Sequence, residues 1–164
     1  MPLVSFDALP GTARVWVFGS ATPLTPDAEA ALLQAVDAFL EQWAAHGTPL
    51  TAARDWRDRR FLTIAVDTTQ ANASGCSIDG LFRELRRVDG TFGSSFLGGA
   101  SVFYRDASGT VVAAARSAID ELAASGVLTR ASVVFDPTVQ TLAEWRDRFE
   151  TVAERSWHGS LLPA

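Results

Sequence analysis

Phe61-Leu62-Thr63-Ile64-Ala65-Val66 is a run of apolar and β-branched residues with one hydroxyl in it. It is too short for a buried helix and apolar enough for an interior strand of a sheet. Immediately upstream, Arg57-Asp58-Arg59-Arg60 reads as a turn, and residues 50–56 as a second extended segment. Further upstream, Ala13-Arg14-Val15-Trp16-Val17-Phe18 is a β-branched and aromatic strand ended by Gly19-Ser20. Between these strands lies a strong helix signal. Thr25 can cap, Pro26 suits the first helical position, and Asp27 and Glu29 complement the positive end of the helix dipole. Leu32, Val36, Phe39 and Trp43 follow as one apolar stripe, and Gly47 is the expected stop.

Downstream of the central run, a polar stretch leads to Gly75-Cys76-Ser77-Ile78-Asp79 and a helix. Its stripe is Ile78, Leu81, Phe82, Leu85 and Val88, with Arg83, Arg86 and Arg87 on the outer side. Residues 90–100 are glycine-rich and read as a loop. Strands at 101–104 and 110–113 flank a hairpin turn at 105–109, a short helix covers 116–124 up to Ser125-Gly126, and a strand covers 131–135. A final helix is expected over 142–155, with Trp145, Phe149 and Val152 on one side. The order β-α-β-β-α-β resembles a ferredoxin-like core followed by a β-α-β-α extension. Residues 1–164 are therefore expected to form a single α+β domain with a mostly antiparallel sheet.

Composition narrows the function classes. With 48% apolar and 20% charged residues among 164, the chain can bury about two-thirds of its unfolded surface and needs neither disulfide nor structural metal. No apolar run is long enough for a membrane span and no signal peptide is evident. The lone Cys76 favours a reducing compartment, so a cytoplasmic location is expected, although a cysteine-poor exported protein has the same count. Net charge is −5 and all 14 basic residues are arginine. That makes nucleic acid a poor partner and removes Schiff-base and P-loop lysine chemistry.

The most informative segment for chemistry is the Cys76 turn, which places a thiol, a hydroxyl and a carboxylate (Cys76, Ser77, Asp79) at a helix entrance. Free amides there favour a thiolate or a bound anion. Against this, cysteine is commonly buried, and Ser77 or Asp79 is the kind of residue that caps a helix. Burial is expected to prevail, leaving Cys76 slow to react and Cys76→Ser costly. His46 and His158 are the only imidazoles that could pair with the thiol, and nothing in the spacing links them. A single cysteine rules out a redox pair and a cysteine-dominated metal site, so no metal and no cofactor are expected. Gly93-Ser94-Ser95-Phe96-Leu97-Gly98-Gly99-Ala100 has Walker A glycine spacing, but Gly99 and Ala100 stand where lysine and a hydroxyl residue are required. The tail, residues 157–162 with Trp157, Leu161 and Leu162, either docks on the domain or presents a surface for a protein partner or a second copy.

Several segments together resemble a family of small bacterial proteins, best represented in Bacteroidetes and often labelled "ABC transporter ATPase". The carriers are the Trp16 strand, Ala73-Ser74-Gly75-Cys76-Ser77-Ile78-Asp79, Val102-Phe103-Tyr104-Arg105-Asp106, Val134-Phe135-Asp136-Pro137-Thr138-Val139 and Ser156-Trp157-His158. The resemblance implies a shared fold and supplies no catalytic residues. The ATPase label has no support in a chain that lacks lysine and an LSGGQ-like signature. Two readings remain: a binding or accessory module without a catalytic constellation, and a thiol-dependent or anion-handling enzyme using Cys76 with Ser77, Asp79 and His158.

Overall fold

A computed structural model describes residues 4–69, 71–97 and 101–164. The chain is one α+β domain built from antiparallel sheets. The first strand, β1 (Arg14–Gly19), leads into α1 (Pro26–Gln42), whose Thr25 side chain accepts from the Ala28 amide as expected of the cap. A two-strand hairpin, β2 (Ala44–Ala45) and β3 (Thr48–Pro49), follows. Next come β4 (Thr51–Arg57) and β5 (Phe61–Asp67), then α2 (Gly75–Phe92). The second half contains the hairpin β6 (Ser101–Arg105) and β7 (Val111–Ala115), the short α3 (Ile119–Ala124) and β8 (Val133–Phe135). It closes with α4 (Leu142–Arg148), β9 (Glu150–Val152) and two 3-10 turns, Ala153–Arg155 and Trp157–Leu161.

Two main sheets result, ordered β1-β5-β4 and β7-β6-β8-β9. The central run is indeed interior: β5 pairs with β1 on one side and β4 on the other, and Phe61 through Val66 are all buried. The ferredoxin-like core is met only in part by this topology. The antiparallel order β1-β5-β4 is the one such a core gives its first three strands, but its fourth strand would flank β1, and here β6 pairs with β7 and β8 in the other sheet.

The alternation of side chains along each strand sorts the core into layers. Phe18, Leu62, Ile64 and Val66 face α1 and α2, packing on Leu32, Val36, Leu81 and Leu85. The opposite face, with Val15, Ala53, Phe61 and Ala65, meets Phe103, Phe135, Trp145 and Phe149 of the second half. The far face of the second sheet, Val102, Tyr104 and Val134, is covered by Ile119, Leu128, Ala153 and Leu162. Helices, sheet, sheet, and a cover of helix and tail therefore stack in sequence. Phe61 is the hinge of the middle interface, with ring centroids 5.0, 4.6 and 5.3 Å from Phe103, Phe135 and Phe149. At one margin, Arg105 bonds Glu150 at 2.6 Å and Asp58 at 3.0 Å, while Arg57 reaches Glu150 at 3.4 Å. This ion cluster ties the β4–β5 turn to the second sheet. Its hydrogen bonds to the two carboxylates, Glu150 foremost, raise the Arg105 pKa further.

Three element boundaries differ from expectation, each for a local reason. Helix α1 ends at Gln42, because Trp43 turns inward to donate to the Ser77 carbonyl at 2.8 Å; Gly47 serves the hairpin turn instead, where His46 and Gly47 both have positive φ. Helix α2 runs past Gly90 to Phe92 and stops at Gly93 in the left-handed region. The expected helix over 142–155 stops at Arg148. Trp145 and Phe149 do stack as helical neighbours, but Val152 belongs to β9 and pairs with Val133. The Walker-like segment from Gly93 falls partly on residues 98–100, outside the described residues.

Candidate binding groove

In an antiparallel ladder the amide and carbonyl of successive residues point alternately to either side. The Val15 amide points away from β5, donating to the Gln140 carbonyl at 2.9 Å, and the Leu142 amide donates to the Ala13 carbonyl at 2.9 Å. Val17 and Gly19 share this outward phase, so their amides and carbonyls lie along the free edge of the first sheet. Residues 140–142 cover only the beginning of that edge, and beyond it the chain diverges.

The divergence leaves a cleft of about 540 Å³ lined by β1, Phe82 and residues 137–141. A second cleft, of about 270 Å³, adjoins it at Val17, Phe18 and Pro137 and is walled by Phe96, Phe103, Arg116 and Trp157. The two meet in one groove: a larger lobe, the polar lobe, in which Thr12, Arg14, Thr138, Gln140 and Thr141 set polar groups among apolar walls, and a smaller aromatic lobe.

The groove's rim is held rigidly. Asp136 is fully buried at the start of the 137–141 segment. Its carboxylate accepts from the Thr138 amide and hydroxyl, from the Trp157 indole at 3.0 Å and from Arg148 at 2.7 Å. At the other end, Thr141 and Glu144 form a capping box on α4, and Glu144 also accepts from the Gln140 amide at 2.8 Å. These backbone hydrogen bonds, with Gln140 foremost, hold the Glu144 carboxyl below its ordinary pKa. Across the aromatic lobe, Asp89 accepts from the Phe96 and Leu97 amides, each at 3.0 Å, which fixes the Phe96 ring.

Two exposed arginines border the groove. Arg14 lies 4.6 Å over the Trp16 ring and Arg116 lies 5.6 Å over Trp157. Among the described residues neither has a carboxylate partner, whereas Arg54, Arg57, Arg59, Arg87, Arg105, Arg130, Arg148 and Arg155 all do. Arg60 and Arg146 bond backbone carbonyls instead, and Arg83 and Arg86 are exposed on α2, away from the groove.

The residues singled out in the sequence lie elsewhere. Cys76 is exposed on the first turn of α2, which corrects the expected burial. The cause is the cap: Ser74, not Ser77 or Asp79, accepts from the Ser77 amide, so the helix starts earlier and rotates Ser77 inward. The Ser77 hydroxyl donates to the Ser74 carbonyl at 2.8 Å, and Asp79 is exposed. Cys76 opens onto a shallow cleft of about 330 Å³ shared with Phe39, Gln42 and Trp43. His158 packs with the cover of the second sheet, not with this cleft. Only 2% exposed, it shares a hydrogen bond with Ser156 through Nδ1 at 2.8 Å and stacks on Trp157, while Nε2 has no partner among the described residues. Desolvation pushes its pKa down to about 4, against the pull of Asp136.

The tail from Trp157 docks on its own domain, with Leu162 7% exposed. Among the described residues no group of three His, Cys, Asp or Glu side chains could hold a metal ion, and no helix is long and apolar enough to cross a membrane. Sequence reasoning missed Arg14, Arg116 and the 137–141 rim. The one available signal was Asp136-Pro137-Thr138, an Asx-type turn sequence that fixes backbone beside a strand. Compared with family models, curated proteins and solved structures, the chain matches none.

Proposed function

We propose that this protein is a small binding module whose ligand surface is the groove along β1, and that its ligand is anionic. The observation carrying this reading is the pair of uncompensated arginines, Arg14 and Arg116, bordering a groove in a chain of net charge −5. Of the six arginines without a carboxylate partner among the described residues, only Arg14 and Arg116 line the groove, so two free guanidinium groups beside one cleft invite a carboxylate from outside. The polar lobe offers Thr12, Gln140 and Thr141 as further donors, and the aromatic lobe offers apolar contact. A cytoplasmic setting belongs to the same reading, since an exposed single thiol persists best in a reducing compartment. Kinship with the Bacteroidetes-type family does too. The test is an amide-resolved titration of the labelled chain with glutarate, inorganic phosphate and acidic peptides. Saturable shifts along β1 and residues 137–141, weakened in Arg14→Ala and Arg116→Ala, are expected. Shifts confined to other surfaces would overturn the assignment.

A second reading rests on Cys76, which is exposed beside a cleft with the Gln42 side chain at its wall. A thiol enzyme would need a base there, and His158 is not in this cleft. Native Cys76 is expected to alkylate at about the rate of the unfolded chain, and Cys76→Ser to melt within about 0.5 kcal/mol of the parent, as exposed substitutions do. Alkylation of the native thiol many times faster than in urea would shift the balance to the enzyme.

A further inference from the structure

We infer that the groove's ligand is an extended peptide that adds as a strand to the outer edge of β1. This deepens the binding-module reading and rests on it.

The edge is built for pairing and then left open. Residues 140–142 begin an antiparallel strand against Ala13–Val15, with Arg14 opposite Thr141. That pairing cannot continue within the chain, because its donors are committed elsewhere. The Gln140 amide is held by Glu144, the Thr138 amide is held by Asp136, and Pro137 has no amide. Past this point the outward carbonyls of Val15 and Val17 and the outward amides of Val17 and Gly19 find no partner among the described residues. An edge left unprotected in this way is a template for another strand. From Val17 to Gly19 it spans about 7 Å at the usual strand rise, enough for roughly three peptide residues.

The walls select the side chains. Alternate residues of an added strand project to opposite sides of the sheet. One of them enters the aromatic lobe of Phe18, Phe96, Phe103 and Trp157, which suits a bulky apolar side chain. Carboxylates flanking it meet Arg14 and Arg116. The ligand is thus an acidic segment with an apolar residue at its centre. An acidic peptide suits these two arginines but gains nothing from the chain's overall charge, so recognition depends on the groove itself.

The experiment selects random dodecapeptides displayed on phage against the intact chain, then synthesises the enriched peptide with and without N-methylation at alternate backbone positions. Enrichment of acidic sequences around an apolar residue is expected, with slowed hydrogen exchange at the Val17 and Gly19 amides on binding. N-methylation in one of the two alternate phases is expected to weaken binding about tenfold or more, the loss of one or two backbone hydrogen bonds. Binding that tolerates N-methylation in both phases, or that leaves Val17 and Gly19 exchange unchanged, overturns strand addition. If no peptide is enriched while glutarate or phosphate still shifts groove amides in an Arg14- and Arg116-dependent way, the peptide inference fails and the groove reading survives. If enriched peptides bind Arg14→Ala/Arg116→Ala as tightly as the parent and map outside the groove, both fail.

Discussion

Gly159 has no room for a methyl group: a Cβ there would lie 2.7 Å from the Ala153 carbonyl oxygen and 3.2 Å from the Glu154 Cα. Both neighbours are backbone, in the turn that carries the tail back across the second sheet. Gly159→Ala is therefore expected to destabilise by about 1–3 kcal/mol, the usual penalty of overpacking, measured by urea unfolding. The adjacent His158 makes a different demand. Because its pKa is pushed from 6.5 down to about 4, the unfolded chain takes up this proton before the folded chain does. Stability is then full above about pH 6.5 and falls as pH drops toward 4, by on the order of 2–3 kcal/mol from this group. A His158→Gln variant should show a flatter stability profile across that window. Little of this was legible in the sequence. The Ser156-Trp157-His158 triplet stood out, but a buried histidine and a catalytic one are spelled alike, and only the packing of the tail decides between them. Cys76 was misjudged for a related reason: the cap is Ser74, three residues before Ser77, so Cys76 falls inside the first helical turn on its outer side while Ser77 turns inward.

At the scale of elements, the helix-capping box on α4 does more than start a helix. Glu144 binds the amides of Gln140 and Thr141 together, so the cap also presents the Gln140 carbonyl to β1. Thr141→Ala is expected to cost about 1 kcal/mol, as caps do, and to accelerate hydrogen exchange at the Val15 amide more than at Leu62 or Ile64 in the neighbouring strand. Uniform acceleration would mean that the rim and the sheet open together. The α1 cap, β1, β4, β5 and the β6–β7 hairpin were all legible because each is specified locally, by Thr25-Pro26, by β-branched runs, or by Asp106 and Gly109 in the turn. β9 was not. Trp145, Phe149 and Val152 have helical spacing, and only the need of β8 for a second neighbour draws Glu150–Val152 into a strand.

For the whole molecule the decisive question was which strands share a sheet, and local pattern does not answer it. A ferredoxin-like sheet and two stacked sheets both satisfy the order of elements read from the sequence. What distinguishes them is that β5 is apolar on both faces, so a second layer must cover the face that α1 and α2 do not. Phe61 is the centre of that second contact. Phe61→Ala is expected to cost about 3–5 kcal/mol, as large aromatic truncations in cores do. The effect should reach both sheets, with hydrogen-exchange protection falling at Phe103 and Phe135 as well as along β5. Loss confined to the first sheet would show that the two sheets are energetically separate.

The doubly covered first sheet also bears on how the chain meets the ribosome. Its helical side can close once residues through α2 have emerged, since every member of that cluster lies before Leu97 or at it. Its other side, with Val15, Ala53, Phe61 and Ala65, waits for Phe135, Trp145 and Phe149. During that interval a nascent chain carries an assembled sheet with one greasy face open to solvent, a natural substrate for holding chaperones. Nascent chains stalled near residue 120 should capture such chaperones more strongly than chains stalled near residue 60 or the released protein. Equal capture at all lengths would mean that the first sheet does not assemble before its cover arrives.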